Sequence, residues 1–496
     1  MSESEPLLSS PAGNPTVPGR NELGSEQPQA TTINSRYVFG LSVLIITLID
    51  TGEYISAASK LQILEDLICR DHFSARSPLL AAAVPQDPCK DDAVQARLAS
   101  LIGWQVLTRN IPTLLLAIPY GALADSRGRR PVATLAFLGA ALAYSWTFLI
   151  CFLGAPVNLI LYSSLFYIIG GGPSVVSALV LLVISDVTPE ADRATAFFRC
   201  LAGILLSELL SPILGYWLMV RNVWIPMYVG LVLVCLPPLL TWWALPETNS
   251  VASKTAQSSS ATARSPERLG RWPRLRTRIG NEFKFFTSSW ATSLGILATF
   301  ITKPAIQAME LILQYVPKRY GWTIARAGLL SSVRSASSMV VLLLFLPWLS
   351  SYLSKRLAMS SVKKDVGIAT GSLLFMIAGY TLIGLAPNVS VIVVGLVLTA
   401  LGSGFNGSLR SLVTYLVERD QPQEMGRLYT FLAIIEAVGG LVSGPFVSST
   451  YRLGLSFGPP WLGLTYLASA VLFLLPLFIV LVIHHLVHTR ETRPRK

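Results

Sequence analysis

Nine ionisable residues lie deep within stretches of sequence that are otherwise apolar. Charges in such places are costly if they face hydrocarbon, so they are expected only where they pair, meet water or do chemistry. A carboxylate beside an arginine or lysine is held ionised by that cation, and it can bind a proton when the cation moves away. Either charge can also bind a solute of opposite charge. These residues are Asp50, Glu53, Arg109, Glu208, Lys303, Glu310, Arg334, Arg410 and Glu436.

Helical spacing and depth predict which of these charges meet. Asp50 and Glu53 are three residues apart, so they share one face of a helix. Counted from the ends of their apolar stretches, they lie at the depth of Arg109. Glu310 lies at the depth of Arg334 in the second half of the chain. We therefore expect Asp50 or Glu53 near Arg109, and Glu310 near Arg334.

The remaining intramembrane charges include a third candidate pair and a single carboxylate, and each pair has two interpretations. Arg410 and Glu436 form a candidate pair nearer the opposite side, and Glu208 precedes Pro212 by one helical turn. Each pair is either a fixed buried ion pair that sets helix packing or a group that carries protons or binds a solute.

The stretches that hold these charges are long enough to cross a membrane. The 496 residues are 52% hydrophobic and only 13% charged, against about 25% charged in soluble domains. Apolar runs that cross about 30 Å of hydrocarbon must be helices, because each backbone has to satisfy its own hydrogen bonds. We predict an all-α membrane protein with twelve spans: 37–58, 98–124, 132–153, 157–186, 194–219, 224–245, 288–313, 325–350, 367–386, 389–417, 427–450 and 461–487.

The connections predict orientation and domain organisation. A Ser/Thr-rich and then basic linker, 246–287, separates a first six-helix half, 36–245, from a second, 288–488, with polar tails at 1–35 and 489–496. Lys and Arg are concentrated on the side of both tails, which the positive-inside rule assigns to the cytoplasm. The net charge of +12 is thus expected to face the lipid bilayer, and no nucleic-acid partner is expected.

The two halves look like copies of one unit. The fifth span reads SELLSPILGY and the eleventh reads GLVSGPFVSS, each with small residues ahead of a proline. A proline bends a helix and small residues permit close packing, and duplicated helical units are common among transporters. The candidate helix-bend residues are Pro212, Gly215, Gly444 and Pro445.

The sharpest local pattern joins the second and third spans as Gly121-Ala-Leu-Ala-Asp125-Ser-Arg-Gly128-Arg129-Arg130. Gly128 supplies the backbone freedom of a tight turn, and Gly121 permits close approach of another helix. Asp125 is placed to accept bonds from arginines or to cap a helix. Arg129 and Arg130 hold this turn to the inner leaflet.

This turn resembles the G-x-x-x-D-x-x-G-R-R loop of the major facilitator superfamily, and the resemblance extends over about residues 36–488. It implies two six-helix pseudo-repeats around a central cavity. It also implies that Asp125, Arg129 and Asp186 form a gate network that favours the outward-facing state. The segments Asp50-Thr-Gly-Glu-Tyr and Ile118-Pro-Tyr-Gly are similar to those of fungal drug and metabolite exporters.

Two features depart from the drug–proton antiporters of this superfamily. The fifth span matches their G-x-x-x-G-P-x-x-G-G motif only in part, and the arginine that many of them have in the fourth span is missing. The usual proton route of these antiporters is therefore not expected here.

Other chemistry is limited. Cys69 and Cys89 share the first long connection, an oxidising location if it is outside, and are a candidate disulfide. Asn388-Val-Ser390 is a candidate glycosylation site close to the membrane. The sequence has no metal-ligand cluster, nucleotide-binding loop or catalytic constellation, so we expect no metal, no cofactor and no enzyme activity.

These observations predict a proton-coupled exporter of a small organic molecule, such as a drug or secondary metabolite. The alternative is a proton-coupled importer of a nutrient or organic anion, which Arg109 and Arg334 would suit. A membrane enzyme or receptor is a remote alternative. The expected partners are the substrate, protons and lipid, and a monomer is expected. Both termini are expected in the cytoplasm, with the plasma membrane favoured over the vacuolar membrane.

Overall fold

The computed structural model describes residues 34–74, 88–248, 290–356, 359–420 and 425–491. Within these residues, twelve helices are long and apolar enough to cross a membrane, so the predicted all-α fold is confirmed. Nearly all of the predicted N-terminal tail, most of the 246–287 linker and the last five residues lie outside the described residues. The division of the chain at that linker stays a prediction.

The helices of the first half are α1 (Ser35–Ser74), α2 (Asp92–Arg127), α3 (Arg129–Leu153), α4 (Val157–Val187), α5 (Arg193–Arg221) and α6 (Trp224–Ala244). Those of the second half are α7 (Trp290–Gln307, Ala308–Leu311 and Ile312–Tyr320), α8 (Ile324–Lys355), α9 (Ser361–Leu385), α10 (Val389–Glu418), α11 (Met425–Phe457) and α12 (Leu464–Glu491).

Four of these helices contain a segment that is not α-helical. Gly171 and Gly172 break α4 with φ angles of 77° and 84°. A 3₁₀ segment interrupts α7 at Ala308–Leu311 and α10 at Gly402–Gly404, and α8 contains a π-helical segment at Val341–Phe345. Non-α-helical backbone is tolerated at membrane depth only where protein or water supplies hydrogen bonds to its free N–H and C=O groups. These breaks alter which side chains share a face.

Helix α1 is longer than the predicted span 37–58, because it continues to Ser74. The predicted spans 37–58 and 98–124 leave residues 59–97 as a connection outside the membrane, and both of its ends are wrong, since α2 begins at Asp92. Leu61, Leu64 and Ile68 recur at helical spacing and are 7%, 2% and 0% exposed. Their burial against protein stabilises a helix beyond the point where a hydrophobic span would end.

The packing pattern repeats from one half to the other. Helix α1 packs on α5 and α6, and α7 packs on α11 and α12. The halves meet where α2 packs along α11 and α5 packs along α8. A Cβ on Gly215 would lie 2.6 Å from the Ile55 carbonyl oxygen, and one on Gly444 would collide with the Gly103 carbonyl oxygen. These glycines set how closely α5 approaches α1 and how closely α11 approaches α2.

The bundle has two ends, which we name by their most distinctive features. The signature face carries the turn from Gly121 to Arg130, between α2 and α3. The disulfide face carries the Cys69–Cys89 bond, near the end of α1 and the start of α2.

Candidate functional site

Partly exposed charges mark a polar cavity in the bundle. The side chains of Arg410, Glu53 and Arg334 are 51%, 41% and 36% exposed, and Glu310 is exposed as well. Charges at this depth do not face lipid without a large cost. Their exposure therefore traces a water-accessible space along the helices that carry them.

One of the ion pairs between the two halves links α5 to α8. Arg334 of α8 hydrogen-bonds to Glu208 of α5, and the Glu208 side chain is only 12% exposed. The expectation that Arg334 would pair with Glu310 is wrong in this conformation. Glu310 lies in the 3₁₀ segment of α7, whose three residues per turn rotate it away from the face that an ideal α-helix would give. Packing of α5 on α8 brings Glu208 to Arg334 instead.

A second charge cluster lies within the second half. Arg410 of α10 hydrogen-bonds to Glu436 of α11, and Lys303 of α7 lies 3.5 Å from the other oxygen of the same carboxylate. Two cations thus share one carboxylate. The half-exposed Arg410 guanidinium keeps donors that are not used by Glu436.

Arg109 lies in a small polar cavity inside the first half, together with Glu53, Lys60 and Tyr167. Among the described residues, no carboxylate lies within 4.0 Å of Arg109, so the predicted pair of Arg109 with Asp50 or Glu53 is not formed. Glu53 instead lies 4.0 Å from Lys60. The sequence assigned Lys60 to a loop, but the extension of α1 places it two turns beyond Glu53 on the same helix. Asp50 is half-buried on α1, one turn before Glu53.

The signature turn is held by an arginine inside the protein. Arg129 is 7% exposed; its Nη1 lies 2.6 Å from Asp125 and its Nε lies 3.1 Å from Asp186 at the end of α4. Asp125 itself is 71% exposed on the signature face. The network thus ties α2, α3 and α4 of the first half together.

Glu247, just after α6, caps the N-terminus of α3. Its carboxylate accepts the Arg129 N–H at 2.7 Å and the Arg130 N–H at 3.2 Å. Gly128 has φ +101°, and a Cβ there would lie 2.6 Å from the Glu247 carboxyl carbon. Glycine is therefore required at position 128 for two reasons: the positive φ angle disfavours other residues, and a side chain would block the Glu247 carboxylate. Arg130 donates to the Trp242 carbonyl and lies 5.3 Å above its ring.

Two parts of the turn differ from expectation. Arg129 does not reach the inner leaflet, because it is 7% exposed and paired inside the protein. Gly121 was predicted to permit close approach of another helix, but among the described residues no atom would lie within 4 Å of a Cβ there. The prediction is wrong for this conformation because that part of α2 faces open space.

The profile of the Major Facilitator Superfamily matches residues 93–444. The chain belongs to the major facilitator superfamily. This facilitator is 34% identical to the MFS efflux pump atnC of Emericella nidulans, over 94% of this chain and 90% of that protein. It is 29% identical to the efflux pump ustT of Aspergillus flavus, over 90% and 88% of the two chains. A solved D-xylose-proton symporter shares its fold, with a TM-score of 0.58, 15% identity and coverage of 88% and 97%.

Family and relatives together place this facilitator in the fungal efflux branch. It is a multi-pass membrane transporter and not an enzyme. Among the described residues, no group of three or more His, Cys, Asp and Glu is placed to hold a metal ion.

The remaining sequence candidates of the facilitator are the cysteine pair, the glycosylation site and the two prolines. Cys69 and Cys89 are joined by a disulfide. Asn388 is exposed, and its side-chain oxygen accepts the Val391 N–H at 3.1 Å, which caps α10. Pro212 and Pro445 lie inside α5 and α11.

Several polar residues that join elements were missed from the sequence. Glu247 follows a proline at the end of the sixth span, and an acidic residue there was a detectable signal. Gln95, Gln314 and Lys318 carried no signal, because their partners lie on other helices. Lys60 was missed because the predicted span ended at residue 58, before the helix that carries both Lys60 and Glu53 ends.

Proposed function

We propose that this facilitator exports a small organic molecule in exchange for protons, through the cavity that its intramembrane charges line. The observation that carries the proposal is the Glu208–Arg334 ion pair between the halves. It is supported by two relatives that are named efflux pumps. The substrate class is a small organic compound, and the transporter acts as a monomer.

The orientation follows from charge. We assign the signature face to the cytoplasm, because Lys and Arg are concentrated in the connections on that side. The disulfide face is then outside, and the plasma membrane is the favoured location. The halves meet near the disulfide face through Gln95 and Gln314, Asp92 and Lys318, and the α2–α11 glycines. Closure there corresponds to an inward-facing state that loads substrate from the cytoplasm.

Proton coupling is assigned to the Glu208–Arg334 pair. Opening of the disulfide face separates α5 from α8, which breaks the pair and leaves both charges without a partner. Without the Arg334 charge beside it, the Glu208 carboxylate no longer has its ionised form stabilised by a cation, so a proton can take the place of the ion pair. Proton binding from outside and opening to the outside are thereby linked. Asp50, Glu53 and Glu310 remain secondary candidates for the same role.

The signature network is assigned to gating. Asp125, Arg129 and Asp186 connect three helices of the first half, and Glu247 adds α6 to them. Asp125 faces the space that closes when the signature faces of the halves come together. We therefore propose that this network changes the balance between conformations and does not contact the substrate.

The export proposal is tested by comparing internal and external metabolites of cells with and without the protein. The compound that accumulates inside the deletion strain is then assayed in inside-out vesicles with an imposed proton gradient. Uptake into the vesicles, acid inside, supports export, and Glu208→Gln should abolish gradient-driven uptake while leaving downhill exchange. Uptake that needs acid outside the vesicles would contradict the proposed exchange.

Import of an organic anion is the second candidate. Two observations favour it: Arg109 has no carboxylate within 4.0 Å among the described residues, and Lys303 and Arg410 share the single carboxylate of Glu436. Cells that take up a carboxylate more slowly after deletion of the protein would support import. Export and import predict opposite signs of the intracellular concentration change.

A further inference from the structure

The disulfide bond lies at one end of a chain of polar contacts. Cys69 of α1 is bonded to Cys89, which belongs to the short turn before α2. The next residue, Lys90, reaches back to both oxygens of Glu65 at 2.6 and 2.7 Å. Gln95 of α2 donates to the Cys89 carbonyl at 3.0 Å and also to Glu65. The turn is thus fixed to α1 by a covalent bond and by a buried carboxylate that is 4% exposed.

The same turn binds the other half of the transporter. Lys318, near the end of α7, donates to the Lys90 carbonyl and forms an ion pair with Asp92 at 2.6 Å. One turn earlier, Gln314 donates to the Gln95 backbone carbonyl at 2.7 Å and to its side-chain oxygen at 3.0 Å. Gln95 and Gln314 are 0% and 3% exposed. These are buried bonds that cross between the halves, and they break when the halves separate on this face.

We propose that the Cys69–Cys89 disulfide anchors an outer latch, so that its reduction opens the disulfide face and makes transport depend on the redox state of that side. The latch consists of Glu65, Lys90, Asp92, Gln95, Gln314 and Lys318. The proposal rests on the alternating-access transport proposed above. It adds a control element that is separate from the proton-coupling pair.

The anchor acts through position. The Cys89 and Lys90 carbonyls are acceptors for Gln95 and Lys318, and the disulfide is the covalent link that holds them beside α1. Without that link the turn regains conformational freedom. The hydrogen bonds across the halves must then offset the entropy lost when the turn is ordered, so they stabilise the closed face less.

A thiol reagent can approach the bond from the side of Cys89, since Cys69 is only 5% exposed. Cys89 lines a surface cleft together with Asp66, Arg70 and Asn222. An external thiol attacks one sulfur of the disulfide, and a second thiol resolves the mixed disulfide. The products are two cysteine thiols in the protein and one disulfide of the reagent, so electrons and protons balance.

The test measures access to a reporter cysteine at the half interface. Ala58 of α1 is half-buried and lies 3.5 Å from the Cβ position of Gly328 on α8, so α8 partly covers Ala58→Cys while the disulfide face is closed. The reporter is built in protein with Cys151, Cys200 and Cys235 replaced by Ala. A membrane-impermeant maleimide is applied to right-side-out and to inside-out membranes. Trypsin cleavage after Lys60 separates the reporter from Cys69, so mass spectrometry reads each site alone.

We expect labelling from the disulfide side to be about tenfold faster in Cys69→Ser/Cys89→Ser and in Lys318→Met, the effect of losing one charged hydrogen bond. Reduction of the intact disulfide should give the same increase, and reoxidation should reverse it. Reduction decides the outcome if the serine variant fails to fold. Arg97→Ala is the matched control: its 2.5 Å pair with Asp71 lies on the same face but within one half, so its labelling rate should not change.

Two outcomes would overturn the latch. Faster labelling in Lys318→Met without any effect of reduction would show that the disulfide is not the anchor. Unchanged labelling in both would show that these contacts do not close the face. The tenfold effect seen only in inside-out membranes would support the latch but overturn the orientation on which the export proposal depends.

Discussion

The Glu208–Arg334 pair allows proton coupling to be tested before the substrate is identified. Glu208→Gln keeps the size of the side chain and removes its charge, as a bound proton does. The side chains are 12% and 36% exposed, so the pair lies between a surface ion pair of about 0–1 kcal/mol and a charged hydrogen bond of about 1.5–3 kcal/mol. A value of about 1.5 kcal/mol corresponds to a roughly tenfold change in the ratio of two conformations.

The expected result has a definite sign. The pair stabilises the state in which α5 and α8 are together and the disulfide face is closed. At neutral pH, Glu208→Gln should therefore populate the open state about tenfold more than the wild type.

Distances between spin labels across the disulfide face provide the measurement. Arg221 at the end of α5 and Arg452 on α11 are exposed on opposite halves and are suitable label sites after replacement by Cys. Asp71→Asn is the matched control, because Asp71 pairs with Arg97 of the same half at 2.5 Å and does not link the two halves. An unchanged distance distribution in Glu208→Gln would refute the assigned role.

Three further predictions concern the gates. Asp125→Asn should reduce turnover with little change in substrate affinity, because it alters the balance of states; a large loss of affinity measured by equilibrium binding would count against this. Glu247→Ala should lower the free energy of unfolding by about 0.5–2 kcal/mol, as for loss of a helix cap. Thermal unfolding in detergent measures the change, with Glu190→Ala as the control because Glu190 is exposed. Gly444→Leu should prevent closure of the disulfide face, because its side chain meets the Gly103 carbonyl; reporter labelling as slow as in the wild type would contradict this.

The sequence by itself determined the membrane architecture. Bilayer thickness and the need to satisfy every backbone bond turn long apolar runs into helices, and all twelve predicted spans correspond to helices of the structure. The signature turn was also readable, because Asp125, Gly128 and Arg129 act over a few residues and the requirement for glycine at Gly128 is local. Such features need no knowledge of how distant helices pack.

Only the tertiary structure decided which charges meet. Depth along an ideal helix paired Arg334 with Glu310 and Arg109 with Asp50 or Glu53. In the structure, packing of α5 on α8 gives Arg334 the partner Glu208, and the extension of α1 gives Glu53 the partner Lys60. The Glu247 cap and the contacts of Lys318 and Gln314 join residues that are more than a hundred positions apart. Their energies arise from the packing of whole helices against one another, which local spacing does not encode.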